Sequence, residues 1–198
     1  MNKHYETEEL SLQKKEKNEL LEWLKAIVFA VIFVIGIRTF IFTPIVVNGE
    51  SMMPTYEDGD RVVVNIIGKQ ISGLEHFDVI VFHATEEENY IKRVIGLPGD
   101  HVAYKDDMLY INGISFDEPY LDAYKAQLMG YGTLTQDFTL EELANVSTIP
   151  EGYVFVLGDN RIPSKDSRHP EVGLVSLDTV MGKTNIRIYP FDHMGIVE

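Results

Sequence analysis

The sequence predicts a mainly β protein: a domain of packed antiparallel sheets preceded by one apolar helix that anchors it in a membrane. Three observations carry this reading. An unbroken apolar run, Ala26–Ile37, lies near the start. At Pro44 the chain changes to short runs rich in Val, Ile, Tyr and Phe, separated by turn residues. Little helical periodicity follows that point. The 198 residues suit one domain of about 150 residues with an appendage, and a hydrophobic share of 45% is enough to build a core.

The apolar run is bounded by Lys25 and Arg38. Alone it spans about 18 Å, short of the roughly 30 Å hydrocarbon layer. Leu20, Leu21, Trp23 and Leu24 extend it on one side, and Phe40, Ile41 and Phe42 on the other. A helix over 21–43, ended by Pro44, is long enough to span, with Lys25 and Arg38 reaching to the headgroups. A cleaved secretory signal would carry a small-x-small site after the run, but Arg38-Thr39-Phe40-Ile41 stands there. A buried soluble helix would show polar positions at helical spacing, and none falls within the run. Lys14, Lys15, Lys17 and Lys25 precede the span, and the first base after Arg38 is Arg61. The excess of bases before the span sets the N-terminus in the cytoplasm and the later domain outside. The expected organisation is a cytoplasmic tail over 1–20, a transmembrane anchor over 21–43 and an extracytoplasmic β domain over 44–198.

Within that domain the candidate strands are Ile45–Asn48, Arg61–Asn65, Asp78–His83, Tyr90–Gly96, His101–Lys105, Met108–Ile111, Tyr153–Leu157 and Lys183–Ile188. Asp106-Asp107 and Asn112-Gly113 read as turns of a meander. The stretch 118–150 is less regular, with a helix start at Thr139-Leu140-Glu141-Glu142, and reads as an insertion packed on the core.

Charge and composition exclude several functions. Acids and bases cancel over residues 1–43, so the whole net charge of −14 belongs to 44–198. An acidic domain does not bind nucleic acid and does not adsorb to anionic lipid by charge. There is no cysteine, hence no disulfide, thiolate metal site or thiol catalysis. No HExxH or similar ligand pair appears, so no metal is expected.

Three segments could carry chemistry. In Val47-Asn48-Gly49-Glu50-Ser51-Met52-Met53-Pro54-Thr55, a strand end and a glycine precede Ser51. Such a turn can expose both the serine hydroxyl and its N–H, as a nucleophile with an oxyanion hole requires; it is equally the pattern of a surface turn. In Tyr90-Ile91-Lys92-Arg93-Val94-Ile95-Gly96-Leu97-Pro98-Gly99-Asp100, Lys92 stands inside an apolar run. If its side chain is buried, desolvation lowers its pKa from about 10.4 into the range of a base; if it lies on the wet face, it is an ordinary lysine. In Leu157-Gly158-Asp159-Asn160-Arg161-Ile162-Pro163-Ser164-Lys165-Asp166-Ser167-Arg168, two acids alternate with two arginines, forming either an ion-paired loop beside a site or a solvated one. His76, His83, His101 and His169 leave a Ser-His-Asp triad open, since their spacing singles none out.

Taken together, and in this order behind an apolar anchor, the three segments resemble bacterial type I signal peptidases, from about Leu21 to Ile188. The resemblance implies a signal-peptidase-like β fold and a membrane-bound serine endopeptidase that removes signal peptides from exported preproteins, with the bilayer as its other partner and no cofactor. It implies that Ser51 is the nucleophile and Lys92 the general base, and that Ser164 hydrogen-bonds and orients the lysine. Asp159, Arg161, Asp166 and Arg168 would form the polar network shaping the site. Val47, Met52, Tyr90 and Ile91 would line shallow pockets for substrate residues −1 and −3, joined by Ile45 and Tyr56. Gly49 stands where enzymes of the Gram-negative type carry a serine that completes the oxyanion hole, so the chain is more similar to the Gram-positive type and would rely on backbone N–H groups. The alternatives are a Ser/Lys protease with another target, through self-cleavage or surface-fibre assembly, and a non-catalytic membrane-anchored module that binds peptides.

Overall fold

The computed structural model describes residues 21–36, 42–67, 73–128 and 132–197, and the chain divides into two units, Met1–Ile41 and Phe42–Glu198. In the first unit residues 21–36 form a helix, α1. Its side chains are exposed, Trp23 and Phe29 among them. The sixteen described residues rise about 24 Å, and among the described residues no helix is long and apolar enough to cross a membrane. The expected tail over 1–20 and residues 37–41, Arg38 included, lie outside the described residues.

The second unit is built from antiparallel sheets. Its strands are β1 (Phe42–Val46), β2 (Arg61–Asn65), β3 (Val79–His83), β4 (Asn89–Gly96), β5 (Val102–Lys105), β6 (Met108–Ile111), β7 (Ile114–Phe116), β8 (Phe138–Thr139), β9 (Tyr153–Leu157), β10 (Val175–Ser176), β11 (Val180–Tyr189) and β12 (Gly195–Ile196). The larger sheet runs β1-β2-β11-β3-β4-β9-β10, with β12 on β11, and the smaller runs β7-β6-β5-β8. Two short helices, α2 (Asp122–Gln127) and α3 (Leu140–Ala144), flank β8.

Phe42 and Thr43 belong to β1, not to the end of the expected helix. Residues 42–46 alternate exposed and half-buried, as an edge strand does. Pro44 is tolerated there because, among the described residues, β1 pairs only with β2 and lies at the edge of the sheet. The Asp106-Asp107 and Asn112-Gly113 turns have positive φ at both residues, 51° and 62° then 53° and 78°, and close the β5–β6 and β6–β7 hairpins. Thr139 caps α3: its hydroxyl receives the Glu142 N–H while the Glu142 carboxylate receives the Thr139 N–H.

The residues that reach the site come from strands buried on both faces. Val79 and Val81 pack with Val47, Met52, Tyr56, Val62, Val64 and Ile91. Ile80 and Phe82 pack oppositely, with Val94, Val154, Val156, Val175 and Val180. A third cluster, including Ile95, Tyr104, Phe138 and Phe155, welds the smaller sheet to the ends of β4 and β9. Double burial is why Val79–Phe82 of β3 reads as a continuous apolar run.

Candidate active site

Ser51 and Lys92 are brought together from 41 residues apart. Lys92 Nζ lies 2.6 Å from Ser51 Oγ. Lys92 sits on β4 opposite Ile80, where β4 has not yet met β9, whose pairing begins at Arg93. Its side chain reaches the Ser51 turn. It is only 4% exposed. Burial pushes the amine down to about 8, against the opposing pull of Asp166 and then Asp159. The amine also donates to the carbonyl of Ile91, at 2.9 Å, and lies 5.3 Å from the centre of the Tyr90 ring. Nothing in the sequence pointed to that carbonyl, which anchors the lysine from its own strand.

The Ser51 turn is held on two sides. Asn160 donates its N–H to the Ser51 carbonyl at 3.0 Å and its side-chain amide to the Glu50 carbonyl at 3.1 Å. Gly49, at φ +88°, donates its N–H to Asp58 Oδ1 at 2.7 Å. That N–H is thus occupied, whereas the Ser51 N–H has no partner among the described residues. Asn160 and Asp58 were not singled out from the sequence.

The loop after β9 splits into separate pairs. Asp159, fully buried, is bridged by Arg93 Nε at 2.9 Å and Nη2 at 2.6 Å, and receives the Thr55 hydroxyl at 2.5 Å. Asp166, also fully buried, is bridged by Arg168 at 2.8 and 2.7 Å and receives the Gly158 N–H at 3.0 Å. Arg161 does not join either carboxylate. It is buried with Glu118, at 2.5 Å, donates to Thr135 Oγ1 and the Tyr104 hydroxyl, and reaches the Gly158 carbonyl at 3.1 Å. The two charges that complete these pairs, Arg93 and Glu118, stand 66 and 43 residues from their partners.

Ser164 differs from expectation. Its hydroxyl is buried and makes no hydrogen bond among the described residues, so it does not hold the lysine here. It is packed against Gly158, where a Cβ would lie 2.2 Å from Ser164 Oγ and 2.5 Å from the Ser51 carbonyl oxygen. Only glycine lets the strand end, the serine turn and the loop converge.

A groove of about 900 Å³ opens at the Ser51–Lys92 pair. Its walls are Ile45, Val46 and Val47 on one side and Tyr90 and Ile91 on the other, with Glu50, Asp58, Glu87 and Glu88 on its rim. Met52 and Tyr56 do not line it. Both are 0% exposed and belong to the core beneath, because the turn after Ser51 folds inward. Val47 is fixed from behind, exchanging hydrogen bonds with Asp60 and Gly59. Among the described residues no histidine hydrogen-bonds to Ser51: His76 pairs with Asp100, His101 with Glu141, and His169 receives the Glu171 N–H.

This arrangement can move a proton from a hydroxyl to a neutral amine, which is the equipment of a serine hydrolase without histidine. Comparison with known proteins agrees with it. The family model described as "Signal peptidase, peptidase S26" matches residues 20–189. The chain is 47% identical over 182 residues to a signal peptidase I of Bacillus caldolyticus, covering 92% of this chain and 96% of that one. It is 48% identical over 181 residues to a signal peptidase IB of Staphylococcus aureus, covering 88% and 92%. A crystal structure of a signal peptidase I from Enterococcus faecalis is similar at a TM-score of 0.52 and 46% identity, over 56% of this chain and 95% of that one. With its antiparallel sheets, its Ser51–Lys92 contact and these relatives, the chain belongs to the signal peptidase family, peptidase S26.

Proposed function

We propose that this chain is a membrane-anchored serine endopeptidase that removes N-terminal signal peptides from exported preproteins, with Ser51 as nucleophile and Lys92 as general base. One observation carries the assignment of roles: the buried amine 2.6 Å from a hydroxyl that has no other partner among the described residues. Neutral Lys92 takes the Ser51 proton as Oγ attacks the carbonyl carbon of substrate residue −1. The Ser51 N–H, without an acceptor among the described residues, meets the oxyanion. The Lys92 ammonium then protonates the leaving amine, and the mature protein departs. Lys92 next takes a proton from water, whose oxygen attacks the acyl ester, and Ser51 is restored.

The substrate lies extended between two strand edges. Among the described residues, β1 is paired only on its β2 side, and residues 89–92 of β4 lack a neighbour on one side. Both edges offer main-chain groups to an added strand. Ile45, Val47, Tyr90 and Ile91 give the groove apolar walls suited to small side chains at −1 and −3. The membrane anchor is the apolar segment containing α1, whose residues from Ala26 on are all apolar or glycine and whose side chains are exposed; the second unit is extracytoplasmic.

The test uses the full chain in detergent micelles with a preprotein. Ser51→Ala and Lys92→Ala each abolish cleavage while circular dichroism stays unchanged; turnover by either variant defeats the mechanism. Cleavage of added preprotein by catalytic amounts of enzyme separates this activity from self-cleavage, whose rate does not respond to enzyme dilution.

A further inference from the structure

Asp159 and Asp166 present a problem for a lysine that must stay neutral. Both are 0% exposed, and the field of each favours the ammonium form of Lys92. Both are nevertheless needed as acceptors. Asp166 ties the Gly158 N–H and Asp159 ties the Thr55 hydroxyl, and these bonds hold the loop and the serine turn in place. Each carboxylate is covered by a two-pronged arginine, Arg168 on Asp166 and Arg93 on Asp159.

The other faces around the amine supply little charge. Ser51 contributes a hydroxyl, Tyr90 a ring at 5.3 Å, and β3 the apolar Ile80 across the ladder. Ser164 is uncharged, and the charged groups of the groove, the rim carboxylates Glu50, Asp58, Glu87 and Glu88 with Lys165, stand at its wet side.

We propose that Arg168 and Arg93 are counter-charges to the general base, each cancelling a buried carboxylate that the loop requires as a hydrogen-bond acceptor, so that the Lys92 amine stays neutral in the working enzyme. The arginines touch neither substrate nor Ser51; they are positioning residues acting through the carboxylates. The inference rests on the reading of Lys92 as base.

Arg168 is the place to test it, because its side chain is 20% exposed whereas that of Arg93 is 4% exposed. The rate of preprotein cleavage by the full chain is measured in micelles from about pH 6 to 10. The wild-type rate rises with a midpoint of about 8. In Arg168→Gln the bare Asp166 charge moves the midpoint up by about one pH unit, so the rate falls about tenfold at neutral pH and recovers most of that loss at the alkaline end. Arg168→Lys keeps a midpoint close to wild type. Asp166→Asn alone brings the midpoint below the wild-type value, because the raising carboxylate is gone and Arg168 remains, and the double variant with Arg168→Gln returns it close to wild type.

A loss by one constant factor at every pH in Arg168→Gln, or an equal loss in Arg168→Lys, overturns the proposal. Should Arg168→Gln not fold, an unmoved midpoint in Asp166→Asn overturns it as well. Failure of the underlying reading looks different: the wild-type rate does not rise through pH 8, or Lys92→Ala still turns over.

Discussion

Two cations are buried in this domain to nearly the same depth, Lys92 at 4% and Arg161 at 1% exposure, and they are treated in opposite ways. Arg161 is saturated: carboxylate, hydroxyls and a main-chain carbonyl surround its guanidinium. Lys92 meets a hydroxyl and one carbonyl, and its nearest carboxylates are already bridged by arginines. A guanidinium keeps its proton at any ordinary pH, so partners must be brought to it. An ammonium can give the proton up, and withholding partners makes it do so. The same burial therefore yields a structural pin in one region and, in the proposed mechanism, a base in the other.

The largest effect breaks this contrast at its centre. Replacing the lysine by a neutral chain of similar length, Lys92→Met, is expected to lower kcat by roughly 10³–10⁴-fold or more and yet to stabilise the fold. The sign follows from linkage. The folded-state pKa of about 8 lies below the unfolded value of 10.5. Between these values the unfolded chain binds more protons, so stability rises with pH across that window. Below it the wild type carries the full cost of the buried amine, on the order of 3 kcal/mol. Denaturant titration near pH 7 should show most of this gain for Lys92→Met, and the gain should vanish above about pH 10.5. A variant less stable than wild type at pH 7 would mean that the amine is paired and charged.

Glu118→Ala attacks the other cation and inverts the outcome. It leaves Arg161 buried without its carboxylate, which costs about 3–5 kcal/mol. At temperatures where the variant remains folded, the pH dependence of cleavage should keep its midpoint, because Glu118 is not among the groups that act on Lys92. A midpoint shifted in Glu118→Ala would show that the two regions are electrostatically joined and the contrast is false.

The contrast was only half legible in the sequence. Turns and caps could be read because their requirements are local. Asp-Asp and Asn-Gly tolerate positive φ at both hairpins, and Thr139 with Glu142 spells a capping box within four residues. Lys92 stood out as a charge inside an apolar run, and Ser51 as a hydroxyl after a glycine. The pairing of Arg93 with Asp159 and of Arg161 with Glu118 was not legible, since a charged residue in sequence looks the same whether it faces water or a partner far along the chain. Met52 and Tyr56 looked like groove residues because they follow Ser51, but the turn direction that buries them is set by packing against Val62, Val64 and Val79. The two-residue strands Phe138–Thr139, Val175–Ser176 and Gly195–Ile196 carry no period at all and exist only through the neighbours they pair with.

Gly158 is the joint between the two regions, its carbonyl held by Arg161 and its N–H by Asp166. Gly158→Ala places a methyl 2.5 Å from the Ser51 carbonyl oxygen, so the serine turn must move. Misplacement on the ångström scale at a nucleophile costs about 10²-fold. The loss should appear in kcat, with the midpoint near pH 8 retained, because the surroundings of the amine change little. Wild-type kcat in Gly158→Ala would show that the turn yields without consequence.

The smallest expected effect lies on the wet side of the same turn. Asp58 is exposed, and its single bond to the Gly49 N–H holds the chain one residue before Glu50. An exposed hydrogen bond to a charged acceptor contributes about 1 kcal/mol, so Asp58→Ala should lower kcat by about fivefold. Asp58→Asn, whose amide oxygen can still accept, should recover most of it. KM is the discriminating quantity, because Asp58 also stands on the groove rim. If it acts by fixing the turn that presents the Ser51 N–H, kcat falls and KM holds. If KM rises instead while kcat is unchanged, the carboxylate touches substrate, and the Ser51 turn is held by its buried side alone, through Asn160.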